Sequence, residues 1–285
     1  MTRVIVTGAG GMLGRDVVEV LAERGHKVIA LPRAALDVTS LENARTTLAG
    51  HQPNVVINCA AYTAVDAAES DWERALAVNG LGARNLALAC RENGAALLQV
   101  STDYVFSGDK DSPYGVFDQT GPVNAYGRTK LWGEQAVEKI LPSSYIVRTS
   151  WLYGAGGPNF VRTMLQLGRT KESLRVVDDQ KGAPTYTRDL AGALAVLMET
   201  GAYGIYHATN GEATTWCGLA REIFKQRGIS VEVIPCATGE FPRPAPRPAN
   251  SLLAPFPLKE TIGYLLPSWE DALARFLAGQ AEEIS

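Results

Sequence analysis

The chain has 285 residues, of which 46% are hydrophobic and 20% charged, and carries a net charge of −3. Its basic residues are scattered, which leaves no electrostatic footprint for nucleic acid or an acidic membrane surface, and no apolar run approaches the ~20 residues that span a bilayer. Such a length suits one large α/β domain, alone or with a smaller lobe. RVIVTG (3–8), a short β-branched run ending in glycine, predicts a buried strand. A helix follows to about Arg24, with Leu13, Val17, Val20 and Leu21 on one face and Gly25 as its stop. HKVIALP is a second strand, and TSLENARTTLAG a second helix capped by Thr39 or Ser40. NVVINCAA (54–61) is a third strand, and Asp71 to Asn93 a long helical region. AALLQVSTDYVF (95–106) reads as a fourth strand running into the Gly-, Asp- and Pro-rich loop SGDKDSPYGVFDQTGPVN. YGRTK (126–130) opens the next helix, and SYIVRTSWLYG is the strand after it. Strand and helix alternate with room for crossovers, which predicts an α/β fold: a doubly wound, Rossmann-like parallel sheet with helices on both faces.

Beyond about residue 152 the rhythm loosens. The pattern gives a helix around 159–168, a strand at RVVDDQ, a helix near 188–199, a strand GIYHAT, a helix at about 215–227 and a strand VEVIPC. PRPAPRPAN (242–250) is too rich in proline for a helix or central strand and reads as extended loop. Cys59, Cys90, Cys217 and Cys236 show no metal-type spacing, and the apolar surroundings of three of them point to buried free thiols in a reducing compartment. MTRVIVTGAG enters a strand with no basic-then-apolar leader pattern, so the expected compartment is the cytoplasm. His26, His51 and His207 are far apart and receive no chemical role.

TGAGGMLG (7–14) lies between the first strand and the first helix, with Gly8, Gly11 and Gly14 in a T-G-x-x-G-x-x-G array. Backbone without Cβ is what a tight turn needs when a pyrophosphate must approach the N–H groups and dipole of a helix start. The array therefore predicts a dinucleotide site built from Gly8, Gly10, Gly11, Met12, Leu13 and Gly14. No acid stands at the tip of the second strand to hold a ribose 2′-hydroxyl; Leu31-Pro32-Arg33 stands there instead. Arg33 either meets a 2′-phosphate, which favours NADPH with NADH possible, or is a solvated turn residue. Asp37, followed by Val38, is placed for the adenine edge or simply for the turn before the second helix.

The fourth strand ends in Ser101-Thr102-Asp103, where a doubly wound sheet puts its site. Tyr126 and Lys130 are four apart, hence one turn apart on one helix face. Reduction of a ketone delivers a hydride to carbon and a proton to oxygen. A tyrosine beside a lysine cation is suited to that proton transfer, the cation drawing the phenol pKa towards working pH. Thr102 supplies a hydroxyl to the developing oxyanion. Among the other candidates, Trp151 follows a strand end and either stacks on a sugar or packs in the core. Asp103 either contacts the sugar or forms the turn, and Arg247 and Asn250 sit in the proline-rich segment, where a guanidinium, that of Arg247 or of Arg243, either meets a diphosphate or is solvated at the surface. Asn79 is either an anchor near the catalytic helix or an ordinary helix position.

TGAGGMLG, the strand end NCAA (58–61) and YGRTK together resemble the motifs of the extended short-chain dehydrogenase/reductases. AAYTAVDAAE, AVNG, STDYVFSG, RTSWLYG, NFVRTML, VVDDQKGAPT and RPANSLL follow in order along nearly the whole chain, and these are similar to the dTDP-4-dehydrorhamnose reductase branch of that family. The resemblance implies reduction of a dTDP-4-keto-6-deoxy sugar at C4, with Thr102, Tyr126 and Lys130 catalytic. It implies Cys59, Ala60, Ala61 and Tyr62 beside the cofactor, and Thr102, Asp103, Tyr126, Trp151, Asn159, Arg247 and Asn250 beside the substrate. The implied division is a dinucleotide-binding domain over 1–151, with elements near 188–210 returning to it, and a smaller C-terminal substrate-binding lobe over 152–187 and 211–285. Some members dimerise through Mg²⁺ held by acidic side chains. Here Arg188 stands at one such position and Asp16 is a lone carboxylate, so no metal is carried over and the chain is expected as a monomer or homodimer. Two rivals are a sugar-nucleotide epimerase or dehydratase, and a non-catalytic NADP-binding regulatory subunit. Dehydratases need an acid–base pair after the threonine, whereas Thr102-Asp103 is followed by Tyr104.

Overall fold

The computed structural model describes residues 1–279. The chain opens with β1 (Arg3–Thr7), α1 (Met12–Glu23), β2 (Lys27–Leu31), α2 (Leu41–His51) and β3 (Val55–Asn58). Where the sequence predicts one long helix, there is a short helix α3 (Trp72–Leu76), a wider π turn over Ala77–Leu81, and then α4 (Gly82–Asn93). Next come β4 (Ala96–Thr102), α5 (Ala125–Ile140) and β5 (Ser144–Thr149). The π turn lies where α5 approaches so closely that a Cβ at Gly133 would run into the Asn79 carbonyl. The remaining elements are β6 (Leu152–Tyr153), α6 (Phe160–Gly168), β7 (Ser173–Val177), β8 (Lys181–Gly182), β9 (Thr185–Tyr186), α7 (Thr187–Leu197), β10 (Gly204–His207), β11 (Thr214–Thr215), α8 (Trp216–Arg227), β12 (Glu232–Cys236), α9 (Leu258–Ile262) and α10 (Trp269–Gly279).

Six strands form one sheet in the order β10-β5-β4-β3-β1-β2, every neighbouring pair parallel. Strand residues alternate between its two faces. Val4 and Val6, Val55 and Ile57, and Leu98 and Val100 join one apolar cluster with α1 and α7. Ile5, Val56 and Leu97 join the other, with α2, α4 and α5. Both faces are covered, so the strands read as unbroken apolar runs and the fold is the doubly wound one the sequence predicts. β2 and β3 lie on opposite sides of β1, and the reversal of winding between β1 and β3 opens a crevice at their carboxyl ends.

A third cluster, including Tyr153, Val161, Met164, Ile223, Phe224, Trp269 and Phe276, gathers α6, α8 and α10 over the β7–β12 pair. β7 stops at Val177, short of the predicted RVVDDQ, because the next two carboxylates are engaged elsewhere. Asp178 accepts from the Thr215 hydroxyl and Asp179 from the backbone and hydroxyl of Thr238.

Behind the sheet's carboxyl edge lies an ion pair shielded from water. Arg148 of β5 meets Glu134 of α5 through both Nε and Nη2, the latter at 2.7 Å, with both side chains only 3% exposed. His207 of β10 completes the cluster, its Nε2 3.4 Å from Arg148 Nη1 and its Nδ1 3.2 Å from the Ala254 carbonyl. A carbonyl only accepts, so the proton sits on Nδ1 and the ring is neutral. Burial and then the Arg148 charge hold its pKa down at about 3. Removing one partner of such a pair leaves an uncompensated buried charge. Arg148→Met is therefore expected to destabilise the fold by about 3–5 kcal/mol, with Glu134→Leu added to it restoring most of the loss. Urea denaturation of both variants checks this, and a single variant of native stability would show the pair to be dispensable.

Candidate active site

The crevice encloses about 620 Å³ and is bounded by the Gly11–Gly14 turn, Cys59–Ala61, Thr102–Tyr104, Tyr126, Lys130, Trp151 and Trp216. Its first wall follows from the glycines. Gly8 has φ +61°, and a Cβ there would strike the backbone of Ala60, so β1 and β3 can close up only with glycine at this position. A Cβ on Gly14 would hit the Gly8 carbonyl, which lets the start of α1 fold tightly back on the turn. Gly11 caps α1 with no side chain, leaving the first N–H groups of the helix directed at the crevice. Gly10 contributes its carbonyl, which accepts from Arg15 Nε.

The opposite wall is set by α5. Asn124 caps it by accepting from the Gly127 N–H at 2.8 Å, and Glu69 Oε1 accepts from the Ala125 N–H at 2.7 Å. Asn79, in the π turn, holds α5 from the side: its amide donates to the Thr129 hydroxyl and the Tyr62 carbonyl and accepts from the Tyr62 N–H. Tyr126 and Lys130 thus reach the crevice from one helix face.

Lys130 is 4% exposed, and its Nζ donates to the Val100 carbonyl at 2.6 Å. That carbonyl also accepts from Gln99 Nε2 at 2.8 Å. Gln99 Oε1 accepts from Asn58 Nδ2 at 2.7 Å, and Asn58 Oδ1 from the Thr7 hydroxyl at 2.6 Å. A buried chain of hydrogen bonds therefore runs across β1, β3 and β4 to the ammonium group. Burial lowers the Lys130 pKa to about 8, with Glu134 opposing. The tyrosine differs from expectation: its pKa is pushed above the ordinary value, first by burial and then by Asp103, with the Thr102 hydroxyl opposing. Lys130 points to Val100 rather than drawing the phenol down, so Tyr126 is held as a neutral proton donor.

Thr102 donates to Asp103 Oδ1 at 2.9 Å and accepts from the Tyr104 N–H at 3.2 Å. Asp103 is 2% exposed and its Oδ2 is buried without a hydrogen-bond partner. Burial raises this carboxyl to about 7, the Ser251 and Thr102 hydroxyls opposing. Trp151 adopts φ +46°, unusual for a bulky side chain. Its ring lies face to face with Trp216 at 3.6 Å between centroids, so one indole face is already covered. A second chamber of about 600 Å³ adjoins the first across Tyr104 and Trp216 and contains Arg175, Arg243, Arg247 and Phe241. Arg247 pairs there with Asp66.

Several predicted site residues stand outside both chambers. Asn250 is turned away from both chambers: its amide donates to the Lys110 and Ser112 carbonyls and accepts from the Leu252 N–H, bracing the 107–124 loop. Asn159 caps α6 and donates to the Gly154 and Gly157 carbonyls, so it shapes the loop beside the crevice without lining it. Tyr62 donates its hydroxyl to Asp71. Asp37 is occupied by the N–H and hydroxyl of Thr39. Val38 is buried against Gly82, and Arg33 stands exposed at the end of β2. Asp16, read as solvated, has a buried Oδ2 and a pKa raised by burial. Arg188 bridges Glu19 and Glu23 of α1. Trp216 escaped the sequence reading, since a tryptophan in the first turn of a distant helix carries no periodic signal. Its indole N–H donates to Gln180, inside the quoted VVDDQKGAPT.

Residues 1–281 match the profile of the family described as the RmlD substrate binding domain. The chain belongs to that family. It is 52% identical to the dTDP-4-dehydrorhamnose reductase of Streptomyces griseus over 88% of this chain and 85% of that one. It is 47% identical to the dTDP-4-keto-6-deoxy-D-glucose reductase of Streptomyces niveus over 79% of each chain. A solved family structure, the Bacillus anthracis dTDP-4-dehydrorhamnose reductase in complex with NADP, superposes with a TM-score of 0.95 at 40% identity, covering 98% of this chain and 99% of that one. Among the described residues of this RmlD-family chain, no helix is long and apolar enough to cross a membrane.

The Asp103 carboxyl carries a stability consequence. Its ordinary pKa of 3.8 rises to about 7 in the fold, so between these values the folded chain keeps a proton that the unfolded chain releases. Stability attributable to this residue is full below about pH 4 and falls by roughly 1.4 kcal/mol per pH unit up to about 7. Asp103→Asn should thus melt higher than the parent at pH 8, with the gap closing at pH 4. A parent that stays the more stable at pH 8 would contradict the burial argument.

Proposed function

We propose that this protein reduces the C4 ketone of dTDP-6-deoxy-L-lyxo-4-hexulose to dTDP-L-rhamnose, with NADPH as reductant and NADH as the alternative coenzyme. The observation that carries the reading is the meeting of Thr102, Tyr126 and Lys130 in one crevice, opposite the glycine turn and beside an arginine-lined chamber. A dinucleotide fits the residues present: a Cβ-free turn, an uncapped helix start and the small side chains Cys59, Ala60 and Ala61 leave room for it. When bound, the nicotinamide supplies the hydride.

The chain's own groups supply the rest. The Thr102 hydroxyl donates to the substrate oxygen as negative charge develops on it. Tyr126, kept neutral by its buried setting, gives that oxygen a proton. Lys130, anchored on Val100, brings a positive charge to the crevice that Tyr126 also lines. Trp151 and Trp216 wall the sugar from solvent. The arginines of the second chamber suit a diphosphate, and Tyr104 and Phe241 offer aromatic surface to a base. Such an enzyme works in the cytoplasm. A second reading, another dTDP-4-keto-6-deoxy sugar as substrate, is favoured by the resemblance to the Streptomyces niveus enzyme.

Tyr126→Phe is expected to lose on the order of 10²–10⁴-fold in turnover while binding coenzyme normally. Coenzyme oxidation with the 4-keto sugar nucleotide, followed by NMR of the product, measures both rate and stereochemistry; native rates in Tyr126→Phe would overturn the assignment of the proton donor. Arg33, exposed at the end of β2, is expected to favour the 2′-phosphate, so Arg33→Ala should narrow the preference for NADPH over NADH. Equal affinities of the parent for the two coenzymes would refute that role.

A further inference from the structure

Tyr104 does more than offer aromatic surface to the second chamber, for both walls of the crevice close on it. It lies in a single 3₁₀ turn over Asp103–Val105 and lines both chambers. Its N–H donates to the Thr102 hydroxyl oxygen at 3.2 Å. Its carbonyl lies under the first turn of α5, where a Cβ on Gly127 would run into it. Its ring meets that of Tyr126 edge to face, with 6.0 Å between centroids and 80° between planes. The turn is itself anchored: Val105 and Phe106 are fully buried, and Phe106 stacks on Tyr114 at 4.3 Å.

We propose that Tyr104 is the positioning residue of this site: it sets the spacing between Thr102 and Tyr126, and its ring holds the phenol in the orientation that faces the substrate oxygen. The proposal rests on the ketone-reductase reading above. Thr102 ends a strand and Tyr126 opens a helix, and the chain between them runs through the long 107–124 loop, so covalent linkage alone leaves their separation loose. One residue that touches Thr102 through its backbone and Tyr126 through its ring fixes that separation.

The caps on α5 place the Tyr126 backbone, since Asn124 Oδ1 accepts from the Gly127 N–H and Glu69 Oε1 from the Ala125 N–H. Rotation of the side chain about its own χ angles is the freedom that remains. On one flank Tyr126 packs against the cluster of Ala68, Ala75 and Ala125, whose methyl groups attract without preferring a direction. A ring met edge to face does prefer one. The Tyr104 hydroxyl meets the Arg247 guanidinium at the border of the second chamber, which pins the far end of the ring. The two parts of Tyr104 therefore have separable duties, the ring towards Tyr126 and the hydroxyl towards the arginine-lined chamber.

Substitutions at this residue test the proposal with NADPH and the dTDP-4-keto sugar. Tyr104→Leu removes the ring and should lower kcat by on the order of ten- to a hundredfold while leaving the coenzyme Kd unchanged. Tyr104→Phe keeps the ring and should recover most of that kcat, with a higher KM for the sugar nucleotide because the partner of Arg247 is gone. Tyr104→Met gives the same readings as the leucine variant should the latter fail to bind coenzyme. Equal kcat losses in the leucine and phenylalanine variants, or a leucine loss confined to KM, overturn the positioning role. Crystal structures of the NADP complexes decide it without any substrate. Tyr126 should be displaced or split between two rotamers in Tyr104→Leu and unmoved in Tyr104→Phe; a Tyr126 that keeps its place in Tyr104→Leu overturns the proposal. A parent without turnover would instead strike the reductase reading, while the crystal structures still report on the phenol.

Discussion

The site depends on a single requirement: the Lys130 ammonium must be held under the crevice without water to solvate it. The fold meets it with a line of side-chain amides threaded across the carboxyl ends of three strands, from the Thr7 hydroxyl through Asn58 and Gln99 to the Val100 carbonyl. Each amide donates in one direction and accepts in the other, so every dipole in the line is oriented. The negative end of the last one faces the cation. Such a line survives only where the strands are parallel, in register and covered on both faces. The doubly wound sheet is therefore the support of the lysine as well as the frame of the crevice.

The electrostatics of the two walls differ. The α5 wall carries a cation fixed to a carbonyl and a neutral phenol, whereas the β4 wall carries a hydroxyl backed by an acid. Burial suppresses both charged oxygens, raising the Tyr126 and Asp103 pKa values together, and lowers that of Lys130. A site so tuned is loaded with protons near neutrality, the form a carbonyl reduction consumes. Cys59, pushed up to about 12 by burial, stays a thiol and contributes only its bulk.

Much of this was written locally in the chain. The glycine array, the strand ends and the Tyr126–Lys130 spacing are short-range patterns, and the sheet with its alternating helices follows from runs of apolar residues. What escaped was set by tertiary contacts. Trp216 reaches the crevice from a helix far along the sequence, and the break in the predicted 71–93 helix answers to the approach of Gly133. Asn159 and Asn250 stand in motif strings that lie near the crevice, yet their amides satisfy backbone groups of neighbouring loops. A polar residue in a recognisable string is as readily a brace as a contact, and only its partners tell the two apart. The tyrosine pKa makes the same point, since spacing locates the lysine but not the direction of its ammonium group.

The stacked indoles have a consequence for how this crevice can change over evolutionary time. A Cβ on Gly182 would occupy the space of the Trp151 ring, and that ring in turn is pressed against Trp216 from a backbone conformation few side chains tolerate. Positions 151, 182 and 216 are thus mechanically interlocked, and drift at one must be answered at the others. Broadening the range of accepted sugars by single replacements would have to begin elsewhere on the rim, for example at Gly157, where an added Cβ would meet only the Met12 side chain at 3.7 Å.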